Sequence, residues 1–434
     1  MITYTLKPIF PLPLLLMQRL NAAIITIGDE LLIGQVVDTN SAWIAQELNK
    51  TGIWLKQRIS VGDDKDEIIR ALKTAEKDAQ IIIITGGLGP TADDITKPVL
   101  CDYFGGKMIV DESVLTYIKY LFTEVFKRPI IERNLKQAEV PDVCTVLHNE
   151  RGTAPGMWFE KEGRVYVSLP GVPHEMKGLM TKLVLPKLKS LFDTPFIEHR
   201  TLLTAGVGES FIAETIKDWE AKLPSHIKLA YLPNYGMVRL RITGWSAEKE
   251  KLDQELDDQF AELKTMVQQW LVTDRDETLQ MTLSRMLRAT NKTMSTAESC
   301  TGGYIAHLIT AIDGASSNYK GTVVSYDNEI KTQVLKVSPE TLRSVGAVSE
   351  EVVKEMVEGA ILVMNTDYAL AVSGIMGPDG GTPQKPVGTV WMAAGNRDKV
   401  MAQKFQFKFD RQRNIEMTSV TALNLLRKFI IENG

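Results

Sequence analysis

Ser299 lies in the run Ala297-Glu298-Ser299-Cys300-Thr301-Gly302-Gly303. The residues from Met294 lead in like a strand, and Tyr304, Ile305, Leu308 and Ile309 then recur at helical spacing. A hydroxyl on a strand-to-helix turn is exposed, and the unpaired N–H groups of the helix start point towards it. That arrangement suits a nucleophile with an oxyanion site beside it. The plainer alternative is a serine that simply caps the helix. Cys300 is the rival nucleophile, because a thiolate is intrinsically stronger. It has no histidine near it in sequence to activate it, and buried thiols are usually inert. His307 sits on the same helix, two turns past Ser299, too far along to touch the hydroxyl.

A second chemical stretch is Thr85-Gly86-Gly87-Leu88-Gly89-Pro90-Thr91-Ala92-Asp93-Asp94, directly after Ile81-Ile82-Ile83-Ile84. Four consecutive isoleucines predict a strand buried on both faces of a parallel sheet. Glycines at its end let the backbone approach a phosphate, and two carboxylates in the same loop can hold a magnesium ion against it. A glycine turn followed by an aspartate cap reads equally well. A third stretch, Gly377-Pro378-Asp379-Gly380-Gly381, is a turn whose N–H groups can form an anion nest, or an ordinary loop.

The elements that must carry these groups alternate between strand and helix patterns. Ala22 to Ile27 is an apolar run ending in Gly28-Asp29-Glu30. Asn40 or Ser41 is expected to cap the helix carrying Ile44, Ala45 and Leu48, which Gly52 ends. Asp64 opens the next helix, with Glu67 completing a pattern similar to a capping box. From 195 to 272 the order is β-α-β-β-α, with strand 200–205, helix 209–219, a hairpin over 226–243 and a charge-rich helix over 247–270. Strands are expected near 292–297, 319–325, 367–373, 387–395 and 400–409, with helices near 302–311, 328–336, 349–364 and 411–431. The fold class is α/β: two three-layer α/β/α domains joined by a small α+β module. The expected boundaries are a disordered extension over 1–19, domains over 20–192 and 273–434, and the module over 193–272.

At 434 residues the chain exceeds one ordinary core. Apolar content of 44% with 24% charged residues reads as soluble and globular. A net charge of -4 argues against a nucleic-acid binder. Three scattered cysteines fit neither a zinc site nor a disulfide framework, which points to the cytoplasm. Ile9 to Leu16 is apolar but broken by Pro11 and Pro13, and too short to span a bilayer. Met17 is taken as the working start, with a degenerate signal peptide as the alternative.

The motifs AESCTGG, YDNEIK (Tyr326 to Lys331) and GPDGG…KPVGTVW occur in order, and together resemble the C-terminal domain of the CinA family of nicotinamide-nucleotide amidohydrolases. GDELLIG…DTN, TGGLGPTADD, RGTAPG and LPGVPHEM resemble the molybdopterin-binding-like N-terminal domain of full-length CinA proteins, and the middle is KH-like. The middle segment offers only Gly206-Val207-Gly208, not the GxxG loop that RNA binding needs, so no nucleic-acid partner is expected.

The resemblance implies deamidation of nicotinamide mononucleotide to nicotinic acid mononucleotide and ammonia, with no cofactor. Ser299 would be the nucleophile, Lys331 a neutral base, and Tyr326 a proton relay. Thr301, Gly302, Gly303, Gly377, Asp379, Gly380, Gly381 and Arg411 would bind substrate, with Arg413 also near phosphate. It further implies an ADP-ribose pyrophosphatase site at Gly28, Asp29, Glu30, Thr85, Gly86, Gly87, Asp93, Asp94 and Gly171. Asp29, Asp93 and Asp94 would hold a divalent, magnesium-like metal there. Small-molecule nucleotide substrates, no membrane and a homodimer are expected on the same ground. The alternative is a non-catalytic nucleotide- or pterin-binding protein linked to competence or DNA damage.

Overall fold

The structure is a computed structural model that describes residues 20–91 and 93–433. The expected N-terminal extension and Met17 lie outside the described residues. By their contacts the residues form two compact units, one of Met1–Glu198 with Trp245–Asp253 and one of His199–Gly244 with Gln254–Gly434.

In the first unit a six-stranded sheet runs in the order Trp54–Val61, Asn21–Ile27, Ile81–Thr85, Arg164–Leu169, Gly156–Lys161, Thr145–Leu147. The first four strands are parallel and the last two antiparallel. Alternate residues of one strand enter opposite cores, as the period of two demands. Ile81 and Ile83 meet Ile44, Leu48 and Met176 on one face, and Ile82 and Ile84 meet Ile68, Leu72 and Leu100 on the other. The run of isoleucines is therefore buried on both sides, completing three layers.

Two local details differ from expectation. The cap of helix Thr39–Lys50 is Asp38, whose carboxylate accepts from Ser41 N at 2.9 Å. Asp64 caps the following helix as expected, but Glu67 accepts from Gly62 N, at 3.3 Å, and does not close a capping box.

In the second unit the KH-like sheet has the order Ile227–Asn234, Met237–Ser246, Phe196–Ala205, Leu271–Thr273. Its fourth strand, Leu271–Thr273, straddles the expected boundary between the module and the last domain at 272/273. The C-terminal sheet runs Tyr319–Val324, Met294–Glu298, Tyr368–Gly374, Thr389–Asn396, Val400–Gln406. Three parallel strands are followed by two antiparallel ones. Helices Leu279–Ala289, Tyr304–Thr310 and Arg411–Asn433 supply the core on one face, and Glu350–Met364 supplies it on the other. Leu203, Ala205 and Val272 of the KH-like strands join the first of these cores. No helix among the described residues is long and apolar enough to cross a membrane.

Candidate functional site

Strand Met294–Glu298 is wholly buried and ends at the turn that carries Ser299. Ser299 N donates to Val372 O of the adjacent strand at 3.1 Å, which fixes the start of the turn. Among the described residues its hydroxyl has no hydrogen-bond partner, so it caps nothing there. The N-cap of the following helix is Gly303, at φ 97°, which has no side chain to offer.

That capping role falls to Glu298, which is fully buried. Its Oε2 accepts from Thr301 Oγ1 at 2.7 Å, Gly303 N at 3.0 Å and Ile305 N at 3.1 Å, and Oε1 accepts from Ala306 N at 2.8 Å. The carboxylate thus takes the first-turn amides that sequence reasoning had pointed at Ser299. The free donors lie one step earlier: among the described residues, no backbone oxygen accepts from the N–H groups of Cys300 and Thr301. The Thr301 side chain is turned inward to Glu298, which removes it from the expected substrate-binding set. Gly302 is exposed and Gly303 half-buried, both at positive φ.

The parallel register pairs Glu298 with Val324, which brings the next residues, Ser299 and Ser325, to the same sheet edge. Lys331, on helix Asn328–Gln333, returns to that edge and is 1% exposed. Its Nζ donates to Ser325 O at 2.7 Å and Tyr326 O at 3.4 Å, with no carboxylate bonded to it among the described residues. Burial holds its pKa below the ordinary lysine value, against a smaller upward pull from Asp327. Lys331 and Ser299 do not hydrogen bond to each other.

Cys300 points into the apolar core and burial pushes its thiol up to about 12, which leaves it protonated and inert. His307 is exposed on the helix, against the Tyr304 ring.

The Tyr326 side chain is 63% exposed, and its hydroxyl accepts from Arg411 Nη2 at 3.1 Å. It is bonded away from Lys331, so the relay role gives way to a place in the site wall. Arg411 also donates from Nη1 to Gly377 O at 2.8 Å, joining two loops that the sequence separates widely. Asn414, buried on the same helix, donates to Met376 O at 3.0 Å. Beyond Gly377, Asp379, Gly380 and Gly381 are exposed, and their amides find no protein acceptor among the described residues. Arg413 turns instead to the Phe409 ring, 4.2 Å from its centroid.

In the first unit a cavity of about 510 Å³ opens at the ends of the parallel strands. Gly28, Glu30, Thr85, Gly86, Gly87, Asp93, Asp94 and Gly171 all line it. Asp29 does not; its backbone and carboxylate pair reciprocally with those of Asp63, whose pKa is raised by burial. The glycines are required by space. A Cβ on Gly86 would stand 2.1 Å from Ile27 O, and one on Gly87 2.1 Å from Thr96 Oγ1.

Asp94 accepts from Gly89 N and Thr91 N, both at 2.8 Å, and from the Thr91 hydroxyl, so it closes its own loop. Among the described residues no three His, Cys, Asp or Glu side chains gather around a common point. The expected metal set of Asp29, Asp93 and Asp94 is therefore not assembled. The lining also includes Asp63, Asn40 and Glu175, which sequence reading did not place there. Glu175 is held by Asn149 Nδ2 at 2.6 Å, and burial raises its pKa.

Three family models match in succession: a probable molybdopterin binding domain over 23–190, the damage-inducible protein CinA KH domain over 199–272, and the CinA C-terminal domain over 276–430. A CinA-like protein of Cytophaga hutchinsonii is 47% identical, covering 95% of this chain and 99% of its own. One from Flavobacterium psychrophilum is 45% identical with the same coverage. A crystal structure of competence damage-inducible protein A from Klebsiella pneumoniae is 35% identical, covering 36% of this chain and 97% of its own, at a TM-score of 0.35.

Proposed function

The chain belongs to the CinA family, and from that premise we propose that its C-terminal domain hydrolyses the carboxamide of nicotinamide mononucleotide. The observation that supports this most is the buried Lys331 amine at the sheet edge that carries Ser299. A neutral amine has two N–H donors and one lone pair. Ser325 O and Tyr326 O take the donors, which leaves the lone pair to accept the Ser299 proton.

The Ser299 oxygen attacks the carboxamide carbon as its proton passes to Lys331. The oxyanion is received by the Cys300 and Thr301 amides. Collapse breaks the C–N bond, and Lys331 returns the proton to the leaving ammonia. Water, deprotonated by the same amine, then cleaves the acyl ester to nicotinic acid mononucleotide. Arg411, Tyr326 and the amides of 379–381 hold the phosphoribosyl part.

The glycine-lined cavity of the first unit is assigned to ADP-ribose, with its diphosphate against the backbone at Gly86, Gly87 and Gly171. Because the carboxylates do not form a three-ligand cage, no step through a metal is derived.

The test is ammonia release from nicotinamide mononucleotide by purified protein. Ser299→Ala is expected to abolish it, while Cys300→Ala retains it. The reverse result transfers the nucleophile to the thiol. No ammonia from the unmodified protein favours a binding protein linked to competence or DNA damage. AMP formation from ADP-ribose tests the other cavity.

A further inference from the structure

The tip of the hairpin between strands Ile227–Asn234 and Met237–Ser246 is exposed, yet it meets another element. Its turn residues Tyr235 and Gly236 take positive φ, 39° and 75°, and lay the tip on the last helix. A Cβ built on Gly236 would stand 3.1 Å from Met417 Cε. The Tyr235 phenol faces the Glu416 carboxylate, whose hydrogen bond and charge push the phenol pKa up.

Behind the tip lies a cavity of about 610 Å³, lined among others by Tyr235, Met237, Tyr304, Leu308 and Glu416. The sheet around the tip is fixed twice, and Gly206 N donates to Gly236 O of the turn itself at 3.1 Å. Leu203, Ala205 and Val272 share a core with Leu279, Leu423 and Leu426. Arg239, on the second hairpin strand, bonds to Asp276 and donates to Glu277 O at 3.1 Å. The neighbouring strand and Arg239 thus hold the hairpin close to the point where its tip meets the helix.

What it touches matters for the site. Met417 is 6 positions, under two turns, past Arg411. The first turn of a helix frays unless something outside ties it down. Here the solvent side of that turn carries Arg411, which holds Gly377 and Tyr326 together.

We propose that the tip of the KH-like hairpin, through Tyr235 and Gly236, braces the first two turns of the last helix and so positions Arg411 in the amidase site. This rests on the amidase reading given above. Tyr235 is on this view a positioning residue: it acts through Arg411 and does not meet the substrate.

The test compares Tyr235→Ala and Tyr235→Phe, each with and without Arg411→Ala, in the full chain. Tyr235→Ala is expected to raise KM for nicotinamide mononucleotide roughly fivefold with kcat little changed, and to add almost nothing when Arg411 is already alanine. The phenylalanine variant, which keeps the ring, shows a smaller rise. A KM that does not move, or that moves by the same factor in both backgrounds, overturns the proposal. A second readout does not depend on turnover. Hydrogen exchange of the amides over 411–417 is expected to quicken about tenfold in Tyr235→Ala, and unchanged exchange overturns the brace whatever the activity. If the unmodified protein releases no ammonia, the amidase reading fails separately, and the exchange result still decides the brace.

Discussion

Glu298→Gln tests the central arrangement most closely, because it keeps shape and removes one acceptor. The carboxylate receives four bonds of 2.7, 2.8, 3.0 and 3.1 Å from the segment after Ser299. A glutamine can put its oxygen where Oε2 stands and keep three of them. Its NH₂ then faces Ala306 N–H, donor against donor, whichever way the neighbouring hydroxyls turn. A bond to a charged group contributes roughly 1.5–3 kcal/mol, and an unsatisfied donor costs about 1–3 kcal/mol. Partial relief comes from Thr296 and Thr322, whose hydroxyls lie 3.4 and 3.5 Å from Oε1 and can accept.

The expected loss is about 2 kcal/mol for glutamine and about 4 kcal/mol for alanine, the latter near the ceiling for a single change. Urea unfolding followed by intrinsic fluorescence reads it, together with ammonia release, which should fall further than stability does because the turn sets the nucleophile. A glutamine variant within about 0.5 kcal/mol of the parent, the range of an ordinary surface change, with full activity, refutes the reasoning.

Other expectations follow from buried amines and crowded glycines. Lys331 must be neutral to act, so kcat/KM should climb with pH through a pKa below the ordinary lysine value of 10.5, and Lys331→Arg should abolish turnover at every pH. Lys97, on helix Thr96–Phe104, is 7% exposed, donates to Gln137 O and Glu139 O, and is lowered by burial to about 8. The unfolded chain keeps that proton up to about 10.4 and the folded one loses it near 8, so the group's contribution to stability rises with pH across that window and is lost on descending through 8. Its size is about 3 kcal/mol, read as the pH-dependent difference between the parent and Lys97→Met. Gly86→Ala should abolish ADP-ribose binding by calorimetry and cost about 2 kcal/mol or more, since its Cβ would sit 2.1 Å from a backbone oxygen.

Periodicity carried most of the architecture. Four isoleucines in a row announced a doubly buried strand, and the spacing after Gly303 announced the helix that follows Ser299. Partnerships between side chains were less readable. Glu298 was given no role in the sequence reading, yet an acid in the residue before Ser299, with only glycines at the helix start, was a signal for a missing cap. The Tyr326–Arg411 bond joins residues 85 positions apart, and no local rule proposes it. Asp93 and Asp94 illustrate the limit: two adjacent acids suggest a cation, but one of them faces its own loop. The strand Leu271–Thr273 escaped notice because three residues are too short to display a period.

The acid behind the Ser299 turn has a bearing on which substrates are welcome. Glu298 accepts on both oxygens from the turn that follows it. Its field favours a cation in front of the turn. Oxidised nicotinamide mononucleotide brings such a cation in its quaternary ring, which also draws electrons from the carboxamide, whereas the dihydro form is neutral there. Discrimination by redox state is the expected result, and equal deamidation of the two forms would deny it.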